Sequence, residues 1–142
     1  MKNDNLNQIA ERLIDRLLEC GFVIQRYDAY STNSIYLKLD YGVGNSIRIG
    51  DHRGKAGLQY RYNIGPNIQK YHIKNDRYLR YYFPADEAER LASLIEEERI
   101  QKIRKYGTKN YFMYMECNKE EGRTKPGFWQ RAHLVERRDL CF

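Results

Sequence analysis

The residues best suited to chemistry on a phosphodiester lie in one short run, Asp51-His52-Arg53. A carboxylate, an imidazole and a guanidinium can supply a base, an acid and a charge-stabilising group. Asp28 and Asp40 precede this run and could help to hold a metal ion. However, Asp40 and Asp51 both stand where a strand gives way to a turn, and aspartate is common there for conformational reasons alone. His52 is therefore the one candidate catalytic residue, in a small enzyme acting on RNA or on a nucleotide signal.

Other catalytic and metal-binding patterns are missing from the sequence. The chain has neither a GxSxG motif nor a phosphate-binding glycine loop, because Gly42-Val43-Gly44 lacks the required spacing. The cysteines and histidines are scattered, at no zinc-ligand spacing: Cys20, Cys117, Cys141, His52, His72 and His133. We therefore expect three reduced, buried thiols, no metal and no cofactor, and we favour a protein that acts by binding rather than by catalysis.

Positive charge is concentrated in one part of the chain. The net charge is +6, and residues 21–83 alone contribute +6 from ten basic and four acidic residues. Strand alternation places several basic residues and a tyrosine on one sheet face, and a glycine-rich hairpin tip adds two more. The candidate binding residues are Tyr36, Lys38, Arg48, Arg53, Lys55 and Arg61. Such a surface suits phosphate neutralisation and base stacking, although an acidic protein partner or a merely solvated face would need similar residues.

Two helices should support this surface. Apolar residues recur every three or four positions from Leu6 to Leu18, which predicts a helix over about residues 4–20 that ends at Gly21. Pro84 should open a second, longer helix with acidic residues near its start and basic residues near its end, and Gly107 should stop it.

Between the helices the hydrophobic period changes to two, which predicts strands with one buried face. The alternating segments centre on Leu37, Ile47 and Tyr60, after a first strand that follows Phe22; a further strand is expected from Tyr78 to Phe83. Short connections imply antiparallel neighbours. The expected core residues are Leu13, Leu17, Ile35, Leu37, Ile47, Ile49, Tyr60, Leu91 and Ile95.

The segment 108–142 is harder to interpret. Tyr111 to Met115 is apolar enough to pack but fits a strand or a short helix equally, and Asn118 to Gly127 is expected to be a polar loop. We expect the tail to dock on the core with Trp129 at least half buried. The prediction is one α+β domain over 1–142: an N-terminal helix, an antiparallel sheet of four to five strands, a long helix on the same face, and a C-terminal tail.

Length and composition agree with this architecture. A chain of 142 residues that is 42% hydrophobic can bury a core without disulfides or metals. Its apolar runs do not exceed about five residues, whereas a membrane span needs about 20, and Met1 to Leu13 lacks the apolar centre of a secretory signal. We therefore expect a cytoplasmic protein that does not contact membranes.

The stretch SIYLKLDYGVGNSIRIGDHRGKAGLQYRYNI, Ser34–Ile64, resembles small proteins of phages and mobile elements in gut bacteria, in a setting similar to that of anti-CRISPR proteins. The resemblance implies a phage-encoded inhibitor of a bacterial defence nuclease, with a CRISPR effector or another defence nucleoprotein as partner in the host cell. It transfers no functional residue. Many anti-CRISPR proteins resemble acidic DNA mimics, whereas this chain is basic. An inhibitor of a CRISPR effector with this charge should bind the guide RNA, an acidic surface of the nuclease, or both, and should not occupy the DNA channel as a phosphate mimic. A DNA- or RNA-binding accessory protein of a mobile element is a further alternative.

Overall fold

A computed structural model describes residues 4–29, 34–50, 57–61, 80–124 and 132–135. The helices and strands are α1 (Asp4–Glu19), β1 (Ile24–Ala29), β2 (Ser34–Leu39), β3 (Asn45–Gly50), β4 (Gly57–Arg61), β5 (Arg80–Pro84), α2 (Ala88–Tyr106), α3 (Thr108–Thr124) and β6 (His133–Val135). Single 3-10 turns precede β3 and α2, at Asp40–Gly42 and Ala85–Glu87. Within the described ranges, no helix is long and apolar enough to cross a membrane.

The strands form one antiparallel sheet in the order β5-β4-β3-β2-β1-β6. The α+β fold is therefore confirmed, and β6 gives the sheet one strand more than the sequence predicted. β6 comes from the C-terminal segment and extends the sheet beyond β1, pairing Ile24 with Val135. A three-residue segment is too short to be recognised from its hydrophobic pattern, since alternation needs about four residues to show.

One face of the sheet, the inner face, carries the core. Ile35, Leu37, Ile47 and Ile49 are at most 2% exposed and form one cluster with the apolar stripes of α1 and α2. The two helices also meet each other, through an ion pair of 3.2 Å between Arg16 and Glu89. Of the expected core residues, eight are buried as predicted: Leu13, Leu17, Ile35, Leu37, Ile47, Ile49, Leu91 and Ile95. The side chain of Tyr60 is outside the described set.

The two predicted helices begin and end close to the expected residues. α2 starts four residues after Pro84, because the Ala85–Glu87 turn comes first, and it ends at Tyr106, directly before Gly107, which has a φ of 92°. A positive φ is accessible to glycine at little cost, so the chain can stop one helix and start the next within a residue.

The prediction for residues 108–127 was partly wrong. Tyr111 to Met115 belongs to a helix, and α3 continues to Thr124 through most of the expected polar loop. Tyr111 and Met115 are one helical turn apart and both buried, against Val43. The four-residue spacing of this pair was the available signal. Cys117, also on α3, is exposed rather than buried as expected, and Cys20 is partly buried. Trp129 and Cys141 lie outside the described residues.

Candidate functional site

The side of the sheet opposite α1 and α2, called here the outer face, carries polar and aromatic side chains. Its two central members are Tyr36 on β2 and Arg48 on β3, which are direct cross-strand partners and both partly exposed. The sheet orientation on which the predicted basic surface depends is therefore the observed one, since Ile35 and Leu37 point inward.

Arg48 is held in place on this surface. Its Nε and Nη2 atoms both donate to the Ser34 hydroxyl oxygen at 3.3 Å, and its guanidinium carbon lies 5.5 Å from the centre of the Tyr36 ring. A guanidinium that makes a cation–π contact with an aromatic ring and donates two hydrogen bonds to one hydroxyl oxygen loses little further freedom when it binds an anion. Arg48 and Tyr36 thus form a preorganised pair at the middle of the outer face.

β1 adds to the outer face a tyrosine that is not among the predicted binding residues, Tyr27. Tyr27 is partly exposed and pairs directly with Tyr36 across the β1–β2 ladder. Side chains opposite each other on adjacent antiparallel strands have Cβ atoms about 4.5–5.5 Å apart. The sequence contained a signal for this residue. Because the apolar Ile24 faces the core, alternation along β1 places Gln25 and Tyr27 on the opposite face, which also carries Tyr36.

Lys38 lies at the end of the outer face, beside α3. Gly42, Lys38 and Asn118 lie close together. A Cβ atom added to Gly42 would lie 2.8 Å from Lys38 Cε and 3.8 Å from the side-chain amide nitrogen of Asn118. Burial lowers the pKa of Lys38, and the Glu121 carboxylate partly offsets that effect. The charge of Lys38 is therefore partly compensated by α3, a contact that only the tertiary structure reveals.

The remaining predicted residues divide into two groups. Arg61 is the register partner of Ser46 on β3, and Ser46 in turn pairs with Lys38. Arg61 therefore occupies an outer-face position of the ladder. Arg53, Lys55 and the candidate catalytic residue His52 lie outside the described residues.

Among the candidate carboxylates that the structure describes, Asp28 and Asp40 do not converge, and Asp51 lies outside the described residues. Asp28 accepts from Arg26 Nε at 2.7 Å, and this arginine also contacts Asn7 and Glu11 of α1 at 2.8 and 3.7 Å. Arg26 is an inward position of β1 and is 8% exposed, so one basic residue of the sheet is buried and neutralised. Asp40 lies at the opposite end of the β1–β2 ladder.

Asp40 is the centre of a buried cluster of polar side chains, formed with Arg99, Lys102 and Tyr111. Its Oδ1 accepts from the backbone amide of Val23 at 2.9 Å, and its Oδ2 accepts from Arg99 Nε at 2.8 Å and from the Tyr111 hydroxyl at 2.6 Å. Asp40 is fully buried. Burial is the main cause that raises the pKa of Tyr111, and the Asp40 carboxylate adds to it.

Lys102 extends this cluster towards β3. It is 3% exposed, and its Nζ donates to the carbonyl oxygens of Val43 and Gly44 at 3.0 and 2.9 Å. Burial lowers the pKa of Lys102 to about 7, although Glu98 and Asp40 oppose this. Burial also raises the pKa of Glu98 to about 7, against the effect of Lys102.

This cluster connects elements rather than forming a reaction site. Asp40 links the start of β1 to α2 and α3, and its hydrogen bonds leave it committed to structure. Among the described residues, no group of three His, Cys, Asp or Glu side chains is arranged to hold a metal ion. From the sequence alone Asp40 is an ordinary turn residue, because its partners Arg99 and Tyr111 are 59 and 71 positions away.

Comparison of the chain with protein-family models, with curated proteins and with solved structures gave no match.

Proposed function

We propose that this protein acts by binding, and that the outer face of its sheet contacts the nucleic acid of a nucleoprotein. The observation that carries the proposal is the Arg48–Tyr36 pair, a guanidinium that is hydrogen-bonded to Ser34 and in cation–π contact with an aromatic ring, in the middle of a partly exposed sheet face. Such a pair offers one group to a phosphate and another to a base.

The charge distribution supports this choice of partner. Arg61 and Lys38 occupy outer-face positions on both sides of Ser46, and residues 21–83 hold a net charge of +6. An acidic protein surface is the competing partner, because it would also be attracted by these charges. The aromatic residues of the outer face favour nucleic acid as the partner. A base can stack on an aromatic ring, whereas the binding of an acidic side chain needs no ring.

The resemblance of Ser34–Ile64 to small phage and mobile-element proteins favours a bacterial defence nuclease, such as an RNA-guided CRISPR effector, as the nucleoprotein. Inhibition of that nuclease in the cytoplasm of the host cell is then the biological role. A nucleic-acid-binding accessory protein of a mobile element would use the same surface. The enzymatic alternative depends on His52, outside the described residues, and no described contact favours it.

Charge reversal on the outer face tests the proposal. The variant Arg48→Glu/Arg61→Glu should bind a guide-loaded effector at least 100-fold more weakly, because each reversal replaces a phosphate attraction with a repulsion. The matched control is Arg12→Glu/Arg104→Glu, which makes the same change in net charge at exposed positions of α1 and α2. Binding would be measured by biolayer interferometry, with thermal unfolding as the check on folding.

Three ligands separate the possible partners: the loaded effector, the guide RNA alone, and the effector without guide. Loss of binding to both RNA-containing ligands in the outer-face variant supports the proposal. Binding that needs only the protein component favours the acidic-surface alternative instead. Unchanged binding by the double variant contradicts the outer face as the contact surface, and Arg61→Glu alone serves if the double variant unfolds.

A further inference from the structure

The register of the sheet places the outer-face residues in two rows that cross the strands. One row is rich in rings and reads Tyr27, Tyr36, Arg48, Gln59 and Tyr82, from β1 to β5. The other is rich in basic residues and reads Leu134, Gln25, Lys38, Ser46, Arg61 and Arg80, from β6 to β5. We call these the aromatic row and the basic row.

The two rows run parallel at a separation that the strands fix. Tyr36 and Lys38 are two residues apart on β2, as Arg48 and Ser46 are on β3. A strand rises about 3.3 Å per residue, so the rows lie about 6.6 Å apart. This is close to the separation between the base and the backbone phosphate of one nucleotide in an extended strand.

From this arrangement we infer that the ligand is single-stranded nucleic acid, lying across the strands with its bases on the aromatic row and its phosphates along the basic row. The inference rests on the proposed function and adds the form of the nucleic acid and its direction. A duplex hides its base faces within the stack, so it could use the basic row but not the aromatic one. A single strand can use both, because every base has a face that stacks.

Steric access agrees with a single strand in this direction. In the described part of the chain, α1 and α2 pack on the inner face, whereas α3 approaches the outer face near Lys38. Glu121 on α3 would repel a phosphate at that point, so it should keep the phosphates from passing beyond Lys38 towards the end of β2 and confine them to the basic row.

The two rows should respond differently to mutation and to salt. Tyr27→Ala should raise the Kd for a fluorescein-labelled 12-nucleotide oligo-U about tenfold, without changing the slope of log Kd against log salt concentration, because stacking releases no counterions. Tyr27→Phe should restore most of the affinity. Arg61→Gln should lower the salt slope by about 0.7, which is the effect of one phosphate contact with a single strand. Tyr114→Ala on α3 and Arg104→Gln on α2 are the matched controls.

Fluorescence anisotropy with oligo-U, oligo-dT and a 12-base-pair duplex gives the decisive comparison. Tighter binding of the single strands, together with the loss in Tyr27→Ala, supports the inference. Equal affinity for the duplex with no effect of Tyr27→Ala overturns it while leaving the proposed function intact. Failure of every nucleic acid to bind overturns both.

A variant that fails to fold also loses binding, so a further measurement uses the unmodified protein. Photocrosslinking to an oligonucleotide that contains 5-iodouracil, followed by mass spectrometry, should place crosslinks on Tyr27 or Tyr36. Crosslinks confined to α1 or α2 would overturn the inference even if the oligonucleotide binds.

Discussion

At the scale of single residues, the side chain of Asp40 joins three separate parts of the chain. Its carboxylate accepts three hydrogen bonds in a fully buried position, from Val23, Arg99 and Tyr111. Its backbone has a φ of 51°, in the left-handed region that aspartate tolerates better than most residues do. Asp40 therefore combines a conformational role with an electrostatic one.

Replacing Asp40 should be strongly destabilising. Asp40→Ala removes the carboxylate that pairs with the largely buried Arg99 guanidinium, and we expect a loss of about 3–5 kcal/mol in the free energy of unfolding. Tyr111→Phe removes one hydrogen bond only and should cost about 1–2 kcal/mol. Urea denaturation followed by circular dichroism measures both, and a loss below about 1 kcal/mol for Asp40→Ala would refute the structural role of the cluster.

At the scale of elements, the Asp40–Gly42 turn decides where α3 lies. Asn118 donates to the carbonyl oxygen of Tyr41 at 3.0 Å, and Lys119 Nζ lies 5.8 Å from the centre of the Tyr41 ring. Tyr41 itself has a φ of 55°. Consecutive left-handed residues turn the chain tightly after β2 and present its carbonyl groups to α2 and α3, which is why both helices anchor there.

Replacing Gly42 and Gly122 by alanine should change the stability of the protein in opposite directions. Gly42 has a φ of 95° and an added Cβ would approach Lys38 Cε, so Gly42→Ala should lower stability by about 1–2 kcal/mol. Gly122 lies within α3 with open space around an added Cβ, so Gly122→Ala should raise stability by about 0.5–1 kcal/mol. Thermal unfolding of the two variants tests this, and a shift of the same sign in both would contradict the assigned conformations.

At the scale of the whole molecule, the buried Lys102 and the partly buried Glu98 should shape the dependence of stability on pH. The pKa of Glu98 is raised to about 7, so between its ordinary value near 4.5 and pH 7 the folded state holds a proton that the unfolded state releases. Stability from this group falls as the pH rises through that range. The pKa of Lys102 is lowered to about 7, so from pH 7 to 10.5 the unfolded state holds the extra proton, and stability rises.

Together these effects predict a minimum near pH 7 in the contribution of this pair to stability. Urea denaturation across pH 5 to 10 measures this contribution. For one proton, the slope of the free energy of unfolding against pH is at most about 1.4 kcal/mol per pH unit. Lys102→Met should remove the rise above pH 7, and Glu98→Gln should remove the fall below it. The exposed Lys105→Met is the control for lost charge, and a slope unchanged in Lys102→Met would contradict the prediction.

The sequence alone determined the parts of the molecule that depend on local pattern. The spacing of apolar residues in α1 and α2 and the alternation in β2 and β3 identified these elements and their buried faces, because a side chain's direction follows from the period of its own element. The same alternation assigned Tyr36, Lys38 and Arg48 to one face before any contact was known.

Only the tertiary structure decided which distant groups meet. The partnership of Asp40 with Arg99 and Tyr111, the burial of Lys102, and the approach of α3 to Lys38 join residues separated by 58 to 83 positions, and no local pattern records such a contact. The sequence left the segment 108–124 ambiguous, because a short apolar run suits a strand or a helix. In the structure it is a helix, and the contact of Tyr111 with Asp40 anchors it. The two outer-face rows likewise require the register, since cross-strand neighbours are set by pairing and not by position in the chain.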